Sequence, residues 1–544
     1  MKNAIAKSCL LLTLFLFSSS AHAGEKPRLI LQITVDQLRG DLPTRYYDRL
    51  GDVGFRYLWE SGIVFHDAHH AHANTETIVG HTTLATGAHP AAHGMIGNLW
   101  FDRETGFTTY NIEDGRYRLL TVGADVDEDA EIDPTQRAAR SEGRSPAAIL
   151  VSTFADELRS SNNGQSKVVG VSVKDRGAVS MAGHSGTAYW FSKASGEFVT
   201  STYYLDRYPE WVQAFNDKGP AAQYANTSWD LLHDQATYLF GASDDREWET
   251  DVAGFGRTFP HSFGDGSSRY FTTWLTLSPA GDRLVLDFAK EALVGVQLGK
   301  DAVTDYLSVS FSSTDYVGHV FGPSSLEAED NILRLDAALA DLFAFVDDEV
   351  GLENTLVVLS ADHGGPDTPG YLNSLGIPGG YVDPESWDRD AALERIKSRF
   401  DIDGALIEAY EHPYLYFSAE VKSDPGVDQA ELEAGVVDEL MKFPGVALAV
   451  SSSALRRGGL PDNELYRAVV RNFHPKRSGD IYLVQEPYWF LYSDESVPLC
   501  TMHGSPWSYD TYVPVIFAGA GVPVQRVDRL VHPVDIASTL SAYV

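Results

Sequence analysis

The sequence predicts an α/β fold: an α/β/α sandwich in which helices cover both faces of a central, mostly parallel sheet. Two observations carry this prediction. Short apolar runs recur along the 544 residues, and helical patterns lie between them. A run without polar alternation is typical of a strand buried on both faces, as in parallel sheets. The predicted strands are Leu29 to Val35, Lys167 to Val173, Tyr306 to Phe311, Thr355 to Ser360 and Val513 to Ala518.

Two helices between these strands are predicted from local signals. Ser145 and Pro146 have the residue types of an N-cap and a first helical position, so we expect a helix from there to about Leu158. A second helix is predicted where apolar residues recur at spacings of three and four. These residues are Ile332, Leu335, Leu339, Leu342 and Val346.

Three stretches interrupt the alternation, near residues 100–144, 189–282 and 365–457. We interpret them as inserted caps or lobes of one catalytic domain spanning residues 24–544. The first contains an acidic segment, Asp125 to Asp133. This segment lacks the glycine at the sixth position of an EF-hand loop, so we expect a solvated loop, with a calcium site as the alternative.

Charge and the N-terminus limit the function classes. Lys and Arg number 42 against 76 Asp and Glu, a formal net charge of −34, which repels nucleic acid and anionic membranes. Residues 1–23 have the basic start, apolar run and Ala-His-Ala end of a signal peptide, which predicts a periplasmic or secreted protein. Only Cys500 would remain after cleavage, so no internal disulfide is expected. We expect a monomer that binds neither nucleic acid nor membrane.

Aspartate and histidine residues cluster where the predicted strands end. Carboxylate and imidazole groups suit zinc and other divalent ions. Paired metal ions suit in-line displacement at phosphorus, because they stabilise both the attacking and the leaving oxygen. The sequence therefore predicts a two-metal site made of Asp36, Asp315, His319, Asp362, His363 and His503.

Two further motifs suit an anionic substrate. Thr77 precedes a helical pattern, so it is either a simple N-cap or a nucleophile whose hydroxyl a metal activates. Lys174 and Arg176 follow a predicted strand, and in an extended chain both would point to one side and reach one oxyanion. The histidines at 66, 69, 70 and 72 are expected to be packing or solvated residues.

Taken together, these motifs resemble the alkaline phosphatase superfamily, and within it the phosphate-irrepressible alkaline phosphatases that use a threonine nucleophile. The resemblance extends from Asp36 to about His532. The motifs that carry it are Thr77-x-x-Gly-His81, His93-Gly94, Gly97-Asn98, Lys174-Asp175-Arg176-Gly177, Ser313-Thr314-Asp315-Tyr316-x-Gly-His319, Asp362-His363-Gly364 and His503-Gly504-Ser505.

The resemblance implies an alkaline-phosphatase-like fold, two zinc ions and hydrolysis of phosphate monoesters through a phosphothreonine at Thr77. It implies that Asn98, Lys174 and Arg176 bind the non-bridging oxygens. It also implies one metal site of Asp315, His319 and His503, and a second of Asp36, Asp362, His363 and the Thr77 oxygen.

The main alternative is a nucleotide pyrophosphatase or phosphodiesterase, which shares the metal ligands and the threonine. Diesterases of this type lack the Lys174 and Arg176 pair, because their substrate carries one charge fewer. A sulfatase would need Cys or Ser in a Cys/Ser-x-Pro-x-Arg motif, and neither Thr77 nor Cys500 provides one. Metals other than zinc stay open.

Overall fold

The computed structural model describes residues 26–492 and 499–544, so the predicted signal peptide lies outside the described residues. The strands are β1 (Leu29–Val35), β2 (Ile63–Phe65), β3 (Leu99–Asp102), β4 (Phe107–Tyr110), β5 (Val168–Ser172), β6 (Thr187–Ser192), β7 (Glu197–Val199), β8 (Ser228–Trp229), β9 (His261–Ser262), β10 (Asp305–Phe311), β11 (Thr355–Ser360), β12 (Gly380–Val382), β13 (Ile407–Glu411), β14 (Tyr414–Phe417), β15 (Val446–Ser451), β16 (Ile481–Gln485), β17 (Trp489–Leu491), β18 (Val515–Gly519) and β19 (Gln525–Val527).

The helices are α1 (Leu42–Arg45), α2 (Phe55–Ser61), α3 (Thr77–Thr86), α4 (Pro90–His93), α5 (Pro134–Arg137), α6 (Phe154–Ser161), α7 (Asp175–Ala182), α8 (Glu210–Asn216), α9 (Phe271–Thr276), α10 (Pro279–Gly295), α11 (Ser313–Phe321), α12 (Leu326–Glu349), α13 (Pro369–Ser374), α14 (Ala391–Arg399), α15 (Ala419–Ser423), α16 (Gln429–Leu440), α17 (Ser452–Arg457), α18 (Glu464–Asn472), α19 (Ser508–Thr511) and α20 (Asp535–Ser541). Short 3₁₀ helices lie at Tyr47–Arg49, Ala222–Tyr224, Gln235–Thr237, Leu352–Asn354 and Pro384–Arg389. None of the helices within residues 26–492 and 499–544 is both long and apolar enough to cross a membrane.

The central sheet has the strand order β19-β2-β18-β11-β1-β10-β5-β6-β7 within the described ranges. β1 pairs in parallel with β10 and β11, and β5 pairs in parallel with β10 and β6. β18 is antiparallel to β11, and β7 is antiparallel to β6. The predicted mostly parallel sheet is confirmed, with its antiparallel pairs outside the five central strands.

Helices cover both faces of this sheet because alternate residues of each strand point to opposite sides. On β1, Leu29, Leu31 and Ile33 pack into the core formed with α10 and α12. Ile30 points the other way and packs with Leu84 of α3 and residues of α6 and α20. The molecule is therefore the predicted α/β/α sandwich.

One predicted helix begins in the wrong place. The Ser145 hydroxyl donates to the Asp114 carboxylate (2.6 Å), and the chain from residue 145 to 152 forms turns and loops. The helix starts instead at Phe154, because Thr153 and Asp156 form a reciprocal capping box. The helix predicted around Leu335 is confirmed as α12, which runs from Leu326 to Glu349.

Two of the predicted insertions have different limits in the structure. The stretch near 189–282 begins inside the central sheet, since β6 and β7 belong to it. The stretch near 365–457 forms a lobe that extends to β17: its four-stranded antiparallel sheet has the order β13-β14-β16-β15, and α14 and α16 pack against it. The stretch near 100–144 carries the β3–β4 hairpin and the acidic segment.

Candidate active site

The carboxyl ends of the central strands bring the predicted metal ligands together. Asp36 directly follows β1, and Asp362 and His363 follow β11, its parallel neighbour. β10, the other neighbour of β1, leads into α11, where Asp315 and His319 lie one helical turn apart. Strands that run in parallel end at the same edge of a sheet, so these side chains meet there. His503 reaches the same place from the loop before α19.

Asp315, His319 and His503 form the first group of potential metal ligands. One ligand atom from each lies within 4.8 Å of the others. His319 Nε2 is 3.2 Å from Asp315 Oδ1, and His503 Nε2 is 3.5 Å from the same oxygen. Their Nδ1 atoms bond to backbone carbonyls, of Thr501 at 2.7 Å and of Thr75 at 2.9 Å. Because a carbonyl only accepts, Nδ1 carries the proton and Nε2 keeps a lone pair for a metal.

Asp36, His363 and Asp315 form a second group within the same limit. His363 Nε2 lies 3.3 Å from Asp36 Oδ1 and 3.4 Å from Asp362 Oδ2. His363 Nδ1 donates to the Gly364 carbonyl at 2.8 Å, so its Nε2 is also left for a ligand. Asp315 therefore belongs to both groups. Asp362 lies beside the second group and contacts its member His363.

Buried polar atoms without partners show that this site suits cations. Asp36 Oδ1 and His363 Nε2 have no hydrogen-bond partner in the described part of the chain, while Asp36 Oδ2 lies 2.8 Å from the Lys174 ammonium and Asp362 Oδ2 lies 2.9 Å from His81 Nδ1. Burying such groups unpaired is costly, whereas coordination to a divalent ion would satisfy them. Mixed imidazole and carboxylate donors suit zinc and similar ions.

Nearby charges set the protonation of these ligands. Burial acts to raise the pKa of Asp36, but the Lys174 ammonium and His363 together outweigh it, and the net pKa falls below its ordinary value. The pKa of Asp315 is also lowered, by Lys174 and His319 against the effect of burial. Burial lowers the pKa of His503 to about 3, whereas Asp362 and Asp36 overcome burial and raise that of His363 to about 9. Metal binding would thus displace a proton from His363.

Thr77 is the first residue of α3 and is almost fully buried. Its hydroxyl lies 3.5 Å from Arg176 Nη2. The side chain of Asn98 caps this helix from a distance, since its Oδ1 accepts from the Ile78 amide at 3.1 Å. The helix dipole adds partial positive charge at its N-terminus. Thr77 and Asn98 therefore lie where an anion is favoured.

Gly80 allows α3 to pack closely against the loop after β11, which carries Asp362 and His363. A Cβ atom at Gly80 would lie 2.0 Å from the Asp362 carbonyl oxygen, closer than any real contact allows. One turn away, His81 Nδ1 is 2.9 Å from Asp362 Oδ2, and its Nε2 bonds to the Ser310 hydroxyl at 2.9 Å. The spacing of Thr77, Gly80 and His81 thus serves packing as well as chemistry.

Lys174 and Arg176 both point into the site, but not as the sequence predicted. They were expected to share one side of an extended chain, whereas Lys174 is the N-cap of α7 and Arg176 lies in its first turn. Lys174 Nζ lies 2.8 Å from Asp36 Oδ2 and also pairs with Asp315. Arg176 Nη1 donates to Asp133 Oδ2 at 2.7 Å. Each cation therefore has a carboxylate partner in this structure.

The acidic segment is not the solvated loop that we expected, because its C-terminal half is buried. Glu131 pairs with Lys193, and Asp133 pairs with Arg176. Only its N-terminal half is exposed, where Asp127 contacts Arg269. No local sequence pattern indicates these pairs, since the partners lie more than forty residues apart.

Gln37 is another site residue that the motifs did not indicate. Its side-chain amide donates to Asp315 Oδ1 at 2.9 Å, and its backbone amide donates to Asp362 Oδ1 at 3.3 Å. Its φ of 65° places it in the left-handed region, where residues other than glycine are uncommon. Its position next to Asp36 was the one available clue.

A narrow pocket of about 50 Å³ opens over these groups. Its polar wall includes Asn98, Arg176 and His503, and its apolar wall includes Ile132 and Tyr316. Carboxylates of Glu76, Asp133 and Asp315 also line it, so its small size suits a small group whose negative charge would meet Arg176 and bound cations.

Comparison with known proteins identifies the family. The model of the type I phosphodiesterase / nucleotide pyrophosphatase family matches residues 30–507. The chain belongs to this family. Among its relatives, a Myroides odoratus protein named a calcium-transporting ATPase is 34% identical over 95% of this chain and 91% of its own. The alkaline phosphatase PafA of Elizabethkingia meningoseptica is 34% identical over 96% of this chain and 93% of its own.

The crystal structure of alkaline phosphatase PafA superposes on this fold with a TM-score of 0.84, at 33% identity, covering 95% of this chain and 96% of that one. A second PafA structure carries replacements of a threonine, an asparagine, a lysine and an arginine. The threonine and the asparagine replaced in that structure are as far apart in sequence as Thr77 and Asn98 are here. Its lysine and arginine are as far apart as Lys174 and Arg176. Between Asn98 and Lys174, this chain has fourteen more residues than PafA has between its asparagine and lysine, and this stretch contains the acidic segment.

Proposed function

We propose that this chain is an exported, metal-dependent phosphomonoesterase, an alkaline phosphatase that uses Thr77 as its nucleophile. One observation carries the proposal: a buried threonine hydroxyl at a helix N-terminus, with the Arg176 guanidinium 3.5 Å away and two groups of metal-ligating side chains at the same sheet edge. The name and fold of the PafA relative support the same activity. The predicted signal peptide supports a periplasmic or secreted location.

Two divalent ions, which we propose to be zinc, would occupy this site. Asp315, His319 and His503 would hold one of them. Asp36, Asp362 and His363 would hold the other, together with the Thr77 oxygen. When bound, the ions would act as Lewis acids that stabilise negative charge on the attacking and leaving oxygens.

The residues of the chain would supply nucleophile and orientation. The Thr77 oxygen would bond to phosphorus as its hydroxyl proton passes to water and the ester P–O bond breaks, and the alcohol would leave with a proton from water. Water would then break the Thr77 O–P bond and release inorganic phosphate. During both steps the non-bridging oxygens would be aligned by Asn98, Arg176 and the N-terminus of α3. Because Lys174 pairs with two ligand carboxylates, it would contact substrate once metal ions neutralise them.

The cations favour a monoester over a diester. A monoester dianion leaves three non-bridging oxygens free, whereas a diester leaves two and carries one negative charge fewer. Arg176 offers donors that the Asp133 pair does not use, since its Nε is buried without a partner in the described chain. A phosphodiesterase or nucleotide pyrophosphatase activity is the alternative, and the family name includes it.

Replacing Arg176 tests the proposed specificity. We expect Arg176→Ala to lower monoester kcat/KM by about 10- to 100-fold, the size of one charge-assisted hydrogen bond of roughly 1.5–3 kcal/mol. Hydrolysis of the matching methyl diester should change by less than about threefold, because Thr77 and the metal ligands are intact. The assay compares the two esters at equal metal content.

Arg467→Ala is the matched control, because this arginine is exposed and pairs only with Asp462 among the bonds described. It should leave both rates unchanged. A larger loss on the diester than on the monoester, or a wild-type preference for diesters, would contradict the monoesterase proposal and favour the alternative.

A further inference from the structure

The acidic segment is held against the active site by a series of ion pairs. Arg269 contacts Asp127 at 2.8 Å and Asp129 at 3.2 Å on the exposed side. Further along, Lys193 pairs with the buried Glu131 carboxylate. These pairs tie the segment to the β6–β7 connection and to the loop before α9. The last acidic residue, Asp133, is thereby brought over α7.

Asp133 uses its two carboxylate oxygens for different tasks. Oδ1 caps α5, accepting from the Thr135 amide at 2.9 Å and from the Gln136 amide at 3.4 Å. Oδ2 accepts from Arg176 Nη1 at 2.7 Å. Both side chains are at most 7% exposed. The same residue thus joins a fixed helix end to the cation that faces Thr77.

This contact leaves one edge of the guanidinium free. Nε and Nη2 form one edge of the planar group, and two donors on one edge match two oxygens of a phosphoryl group. Nη2 is the atom 3.5 Å from the Thr77 hydroxyl, and Nε has no partner in the described chain. With Nη1 held by Asp133, Nη2 is the donor of that edge that reaches Thr77.

Charge keeps this pair ionised. Burial acts to raise the pKa of Asp133, yet Arg176 together with Lys174 and Lys193 outweighs it, and the pKa falls below its ordinary value. The pKa of Arg176 is raised by Asp133 against the effect of burial. Both shifts favour the charged forms of the two side chains, and so the ion pair between them.

We infer that Asp133 is a positioning residue that fixes Arg176 with its Nε and Nη2 edge toward the phosphoryl group, and so strengthens the preference for monoesters. This inference rests on the proposed function. It also gives a role to the acidic segment, which lies in the stretch where this chain is longer than the PafA relative.

Asp133→Ser separates positioning from structural support. Serine is an equally good N-cap, so α5 keeps its cap while the oxygen that holds Arg176 is lost. We expect monoester kcat/KM to fall by about 10- to 100-fold, as for other residues that orient an active-site group, with less than about threefold change on the methyl diester. In an Arg176→Ala background the same replacement should change monoester turnover by less than about threefold.

Asp127→Ser is the matched control, since Asp127 contacts Arg269 at the surface, and the Arg269–Asp129 and Lys193–Glu131 pairs still anchor the segment without it. It should leave the ratio of monoester to diester turnover unchanged. Equal losses on both esters, no loss with Asp133→Ser, or the same loss in the Arg176→Ala background would overturn the inference.

Calorimetric titration measures the affinity for inorganic phosphate, which does not depend on which ester is hydrolysed. It is carried out on four metal-loaded proteins: the wild type, Asp133→Ser, Arg176→Ala and the double variant. Positioning predicts that Asp133→Ser weakens phosphate binding only when Arg176 is present. This result would support the inference even if the protein preferred diesters, and equal weakening in both backgrounds would contradict it.

Discussion

At the residue scale, two threonines near the site have different surroundings. Thr77 begins α3 and its hydroxyl faces Arg176, whereas the Thr75 hydroxyl donates to the Ser505 carbonyl at 2.9 Å. The Thr75 carbonyl accepts from His503 Nδ1. Thr75 therefore supports a metal ligand through its backbone, which a side-chain replacement does not remove, while the hydroxyl of Thr77 is free for chemistry.

Replacement of Thr77 tests this difference. Thr77→Ala removes the oxygen that we propose as the nucleophile, so we expect turnover to fall by a factor of about 10³ or more, while Thr77→Ser keeps the hydroxyl and most of the activity. Steady-state rates and metal content are measured on both. Thr75→Ala, as the neighbouring control, should retain far more activity than Thr77→Ala. The opposite ranking would mean that the nucleophile is assigned to the wrong threonine.

At the element scale, α6 depends on one carboxylate that bonds beyond its own helix. Asp156 completes the capping box with Thr153 and also lies 2.8 Å from His184 Nδ1. Burial acts to raise the pKa of Asp156, but hydrogen bonds from His184 and Thr153 lower it to about 2. The hydrogen bond to Asp156 raises the pKa of His184 above 6.5. The pair thus links α6 to the chain after α7.

This pair should stabilise the fold in a defined pH window. The contribution of His184 is fully present below pH 6.5 and is lost as pH rises through its raised pKa, while that of Asp156 is present above pH 3.8 and is lost as pH falls toward 2. We expect His184→Gln to lower the melting temperature more at pH 5.5 than at pH 9. Thermal scans at both pH values check this. The exposed His233→Gln should show no such difference, and an equal shift at both pH values would contradict the linkage.

At the scale of the whole molecule, the active site places several carboxylates in the interior of a protein with a net charge of −34. Asp36, Asp315 and Asp362 lie close together, and Lys174 is the ammonium group that pairs with the first two. The one cysteine in the described residues, Cys500, is free and buried, so no disulfide offsets this repulsion there. Bound metal ions would offset it.

Metal removal should therefore affect stability as well as activity. We expect exhaustive chelation to abolish turnover and to lower the melting temperature, and added zinc to restore both, because a ligand held about 1,000-fold above its Kd stabilises the folded state by about 4 kcal/mol. Elemental analysis with thermal scans provides the measurement. Magnesium or calcium added instead of zinc is the control for ion identity. Full activity in protein shown to be free of metal would contradict the two-metal proposal.

The sequence by itself determined the sandwich and predicted the side chains that meet at one edge of its central sheet. Apolar runs such as Leu29 to Val35 specify buried strands, and polar residues at their ends specify the active edge, because both are local properties of the chain. The sequence also placed Asp315 and His319 on one helical face. It was wrong about the start of α6, where a capping box outweighs the Ser-Pro signal.

Only the tertiary structure decided which charges pair and how the ligands are oriented. The Asp133 and Arg176 pair, the carbonyl acceptors of His319 and His503, and the contacts of Lys174 with ligand carboxylates all join residues distant in the chain. Hydrogen bonds and ion pairs depend on distances that are set when separate elements pack together. No local pattern encodes those distances, so they follow from the fold.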